Sequence, residues 1–101
     1  MFRTAFETLS DEARIPDDEL RAVIESIDGV HDAHRIRTRG TQADVYADFH
    51  ILVDPEMTVA ASHALADRVE EEVERAYPNV KDILVHIEPD DERHRNGERR
   101  S

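Results

Sequence analysis

The sequence predicts a two-layer α+β sandwich, with helices on one face of a three-stranded sheet. Three observations predict it. Two stretches carry apolar residues at helical spacing, three alternate apolar and polar residues with a period of two, and they follow one another as helix, strand, strand, helix, strand. The chain has 101 residues, enough for one domain with a modest core.

The first 15 residues read as a lead-in. Phe2, Phe6 and Leu9 are helically spaced, but Ser10 and Asp11 break the pattern before a helix could stand alone. A helix follows Pro16, with Leu20, Val23, Ile24 and Ile27 on one stripe. Asp17, Asp18 and Glu19 suit the positive end of its dipole, and Gly29 supplies a left-handed C-terminal cap. Val30 to Arg39 reads as the first strand and Gly40-Thr41-Gln42 as a turn.

The second strand is the clearest. Val45, Ala47, Phe49, Ile51 and Val53 alternate with Tyr46, Asp48, His50 and Leu52, and Asp54-Pro55 ends it. Thr58 to Tyr77 is a long helix with Val59, Ala66, Val69, Val73 and Tyr77 on its stripe, stopped by Pro78. Ile83, Val85 and Ile87 then alternate with Leu84, His86 and Glu88 up to Pro89. The expected topology is a hairpin of the first two strands, with the second helix crossing over to bring the third strand beside the first. The domain is expected over residues 16–89, followed by a charged, disordered tail over residues 90–101.

Composition excludes several functions. Thirteen Lys and Arg against 24 Asp and Glu give a net charge of −11, which argues against nucleic acid and anionic membrane as partners. The absence of cysteine excludes disulfides, thiolate nucleophiles and Cys-rich zinc sites. No apolar run approaches the roughly 20 residues that span a bilayer, and no signal peptide is visible, so a soluble, cytoplasmic domain is expected. No Gly-rich phosphate loop or nucleophile triad stands out, so no enzyme is expected.

A single helical layer leaves one sheet face uncovered. If the odd residues of the second strand face the helices, His50 points to the open face beside Asp48 and Leu52. The same logic places His86 and Glu88 there. Two imidazoles and a carboxylate are ligands that zinc and similar divalent cations prefer. His34 shares its parity with Ile36, so either Ile36 is not core or a bulge intervenes; an outward His34 joins the group. His31 falls on the opposite side of a regular strand. His63 lies on the shoulder of the second helix, suited to an interface, with Asp67 one turn later. Taken singly, each strand histidine is more often a half-buried residue satisfied by a neighbour; it is their convergence that points to metal.

Four segments carry a resemblance. Gly29-Val30 leads into Asp32-Ala33-His34-Arg35-Ile36-Arg37-Thr38-Arg39-Gly40. Asp48-Phe49-His50-Ile51, Ala61-Ser62-His63-Ala64-Leu65-Ala66-Asp67 and Val85-His86-Ile87-Glu88-Pro89 follow in order. From about Pro16 to Pro89 the chain resembles the cytoplasmic C-terminal domain of cation diffusion facilitator transporters, which are divalent-metal/proton antiporters. The resemblance implies a ferredoxin-like, metallochaperone-like αββαβ fold and a V-shaped homodimer that closes on zinc to regulate an attached transmembrane domain. By position it implies the ligands His34, His50, His63, His86 and Glu88, with His63 reaching across the interface. Glu88 stands where zinc-transporting members can carry Asp. The transmembrane half is absent from these residues, so the chain is expected to be either an excised domain or a stand-alone sensor or buffer. A metal-independent dimerisation scaffold is the competing reading.

Overall fold

A computed structural model describes residues 15–91. The lead-in over residues 1–14 and the tail over residues 92–101 lie outside the described residues. The elements are α1 (Asp17–Glu25), β1 (Asp32–Gly40), β2 (Val45–Val53), α2 (Val59–Ala76) and β3 (Val80–Pro89).

Each helix starts where its sequence provides for the free N–H groups. The Pro16 carbonyl accepts from Glu19 and Leu20 N–H, and the first turn of α1 is acidic. Thr58 caps α2, its Oγ accepting from Ala61 N–H at 3.0 Å. Beyond α1, Gly29 has a φ of 105°, as a chain reversal there requires. Gly40 (φ 104°) permits the β1–β2 turn, where a Cβ would come within 2.2 Å of the Asp44 carbonyl oxygen.

Leu20 and Ile24 from α1, and Leu65, Val69 and Val73 from α2, pack on Phe49, Ile51 and Val53 of β2. Val23, Tyr77, Val85 and Ile87 are partly buried around this core. Val59, expected on the stripe, is instead exposed, because it opens the helix at the margin of the core; Leu65 fills the stripe.

The sheet order is β1-β2-β3, which corrects the expected neighbour of β3. β3 pairs in parallel with β2, and β1 pairs antiparallel with its other edge. The reason is burial. β2 is buried at seven of its nine positions and takes the centre, while Arg35, Arg37 and Arg39 mark β1, and Lys81 and Asp82 mark β3, as edges. A strand–helix–strand crossover then delivers a parallel neighbour.

β1 resolves the parity conflict with a bulge. His34 pairs with His50, but the next open-face pair is Arg37 with Asp48, so β1 carries one extra residue against β2. Arg35 takes a φ of 52° within it. His34 therefore faces away from the helices while Ile36 is buried in the core.

Phe49 is the largest fully buried side chain. Phe49→Ala is expected to cost about 3–5 kcal/mol in urea denaturation. Arg35→Val is expected to cost more than about 1 kcal/mol, and Arg35→Gly to be tolerated, because a β-branched residue is strained at this φ.

Candidate metal centre

The face of the sheet away from the helices is set by register. Asp32, Leu52 and Glu88 form one row across the three strands, and His34, His50 and His86 form the next. Arg37, Asp48 and Leu84 follow, then Arg39, Tyr46 and Asp82.

His34, His50 and Glu88 each offer a ligand atom, all within 4.8 Å of one another. His50 Nδ1 lies 2.7 Å from Glu88 Oε2, donating to the ionised carboxylate. His34 Nε2 lies 3.6 Å from Glu88 Oε1, within ion-pair reach but beyond a hydrogen bond. The rings of His34 and His50 are 5.8 Å apart, and His86 stacks on His50 at 4.4 Å. All three members of the group are partly buried, whereas His86 is exposed. Leu52, only 1% exposed, closes the face beside Glu88.

Burial pushes the Glu88 carboxyl up, but the hydrogen bond and charge of His50, followed by the charge of His34, outweigh it and hold the group below its ordinary value. Asp48 is the buried carboxylate on this face. Arg37 Nε (3.2 Å) and an Arg39 guanidinium nitrogen (3.3 Å) hold it as an ion pair, one on each carboxylate oxygen.

The residues fit a divalent cation. Glu88 Oε1 is buried and accepts no hydrogen bond among the described residues. Two ligand atoms on one tetrahedral zinc lie about 3.4 Å apart, close to the 3.6 Å between His34 Nε2 and Glu88 Oε1. Three protein ligands leave a coordination position for water or another side chain.

Of the residues expected at the site, the structure brings together His34, His50 and Glu88, with His86 alongside. His63 is exposed on α2, in the layer on the other side of the sheet. His31 pairs with Asp90, Nδ1 to Oδ2 at 2.7 Å, and Asp90 N–H reaches the Val53 carbonyl. Sequence reasoning passed over Asp32, whose Oδ2 lies 3.5 Å from His34 Nδ1. The signal was present, since residues two apart on a strand share a face.

A helix pair on one side of a three-stranded sheet, with a His/Glu cluster on the other, defines a small α+β domain with a candidate metal centre. Residues 15–90 match the family model described as the cytoplasmic domain of cation efflux proteins, and the chain belongs to that family. It is 33% identical over 81 residues to "Metal tolerance protein C1" of Arabidopsis thaliana, covering 77% of this chain and 17% of that protein. It is 33% identical over 88 residues to "Cation-efflux pump FieF" of Pectobacterium atrosepticum, covering 84% and 29%. The chain thus spans less than a third of the curated relatives it matches. Among solved structures, a MamM CTD variant in a cadmium form superposes with a TM-score of 0.69 at 26% identity, covering 73% of this chain and 92% of that one. A nickel form of the same domain gives 0.68, again at 26% identity, covering 73% and 94%. The fold is therefore the metallochaperone-like one, and the family is one of cation transporters rather than an enzyme class.

The lowered Glu88 value carries a pH dependence in the metal-stripped protein. Its contribution is present above the unfolded value of 4.5 and is lost as pH falls through the lower native one. Urea denaturation of parent and Glu88→Gln is expected to show a stability gap at neutral and mildly acidic pH that shrinks below 4.5. A gap that persists in strong acid contradicts this.

Proposed function

We propose that this domain is the metal-responsive regulatory part of a divalent-cation efflux transporter, acting without catalysis as a V-shaped homodimer that closes on zinc. The observation that carries the reading is the convergence of His34, His50 and Glu88 from three strands onto one half-buried face. In this reading His86 completes the ligand set from the same chain and His63 enters from the second copy. The domain proper runs over residues 16–89, and its partner is the transporter's membrane-spanning portion. No helix among the described residues is long and apolar enough to cross a membrane.

The relatives support the assignment by their names, which are those of a cation-efflux pump and a metal tolerance protein. The charge supplies the mechanism. Two chains of net charge −11 repel when brought together. A divalent cation held by ligands from both replaces that repulsion with coordination and shifts the ensemble to the closed form. Zinc is the best match to an imidazole–carboxylate set, though other divalent transition metals accept the same donors.

Coordination requires deprotonated imidazoles, so closure depends on pH. Small-angle scattering is expected to show zinc compacting the dimer at about pH 7.5 and much less at about pH 5.5, either side of the ordinary histidine value. His50→Ala with His86→Ala is expected to abolish zinc binding and leave the dimer intact. A parent protein whose scattering is indifferent to zinc at both pH values overturns the reading and leaves a metal-independent scaffold.

A further inference from the structure

His34 meets a carboxylate on each side of its ring. Nε2 faces Glu88 Oε1 at 3.6 Å, inside the cluster, and Nδ1 faces Asp32 Oδ2 at 3.5 Å, outside it. Glu25, the last residue of α1, accepts a hydrogen bond from Ala33 N–H at 3.0 Å, which ties the backbone beside Asp32 to the helix. Asp32 and His34 sit two apart ahead of the bulge, so both project from the open face in adjacent rows.

We propose that Asp32 is a positioning residue for the metal site, drawing the proton of His34 to Nδ1 against the pull of Glu88 so that Nε2 is the ligating atom. This rests on the metal-binding reading above and deepens it. A neutral imidazole carries one proton, and whichever nitrogen keeps it is lost to the metal. Glu88 at Nε2 and Asp32 at Nδ1 both draw that proton; Asp32 shifts the balance toward Nδ1–H, fixes the ring, and makes Nε2 the better donor once a cation sits between Nε2 and Glu88. An Asp carboxyl is ionised at neutral pH, so Asp32 can only accept. The 3.5 Å contact is longer than a full hydrogen bond; a cation on Nε2 makes Nδ1–H more acidic and draws it in. Asp32 is half exposed, with 51% of its side chain accessible, so its effect lies at the low end of the roughly 10–100-fold typical of such partners.

The test reads the tautomer directly. Nitrogen-15 NMR of the imidazole rings, in chelator-stripped protein at about pH 8, above the ordinary histidine range, is compared between the parent and Asp32→Ala. The expected result is a larger Nδ1–H share for His34 in the parent than in the variant, where Glu88 alone draws the proton to Nε2. Signals of His50 and His86 are expected to stay unchanged, which excludes general unfolding. Zinc affinity is expected to fall about tenfold in Asp32→Ala and to recover in part in Asp32→Glu. Identical His34 nitrogen shifts in parent and Asp32→Ala overturn the proposal. Failure of the parent to bind zinc overturns the metal-binding reading instead, and the metal-free spectra still decide what Asp32 does.

Discussion

His34, His50 and His86 stand in one row because three strands share a hydrogen-bonded register, and His34 joins that row only through the extra residue in β1. The helices cover one face of the sheet, so every position on β1 must choose between core and open face. A regular strand sends His34 and Ile36 the same way. Either an imidazole would enter a core of aliphatic side chains or Ile36 would be lost from it, and both are unfavourable. The left-handed Arg35 absorbs the conflict, with a strain of about 1–3 kcal/mol typical of such a residue. Bulges of this kind re-aim side chains beside functional sites, and here the side chain re-aimed is a candidate ligand.

Two carboxylates on the same face, Asp48 buried and Glu88 half-buried, show how the site differs from its surroundings. Asp48 is bracketed by Arg37 and Arg39, whose charge is permanent. Glu88 is bracketed by His34 and His50, whose charge depends on protonation, and its Oε1 lacks a hydrogen bond among the described residues. The Asp48 carboxylate is countered whatever the pH, whereas the Glu88 carboxylate is countered by protons on the imidazoles or, in the proposed reading, by a metal between them. That makes protons and metal competitors for the same place, as metal binding by neutral imidazole generally requires.

Much of this was legible in the sequence, because periodicity specifies faces. The alternation in β2 and β3 places His50, His86 and Glu88 on one face without any knowledge of neighbours. The shared parity of His34 and Ile36 announces a bulge as one of two options. Strand order was less legible. Parity says which way a side chain points and nothing about which strand lies beside it, so β3 was expected next to β1. The evidence for the true order was in the composition: β2 alone is apolar enough for the centre, and the charges of β1 and β3 mark them as edges. Asp32 was overlooked for a different reason. Reading for ligands picks out histidines and misses the carboxylate that orients one.

The measurement that tests the central claim most directly is native mass spectrometry of the chelator-stripped protein, before and after zinc is added. The account predicts a dimer that gains a small, defined number of zinc ions. It further predicts that His34→Ala, which leaves the core untouched, lowers that number or abolishes uptake. A folded dimer that takes up no zinc contradicts the account, and reduces the row of histidines to satisfied surface residues on a scaffold.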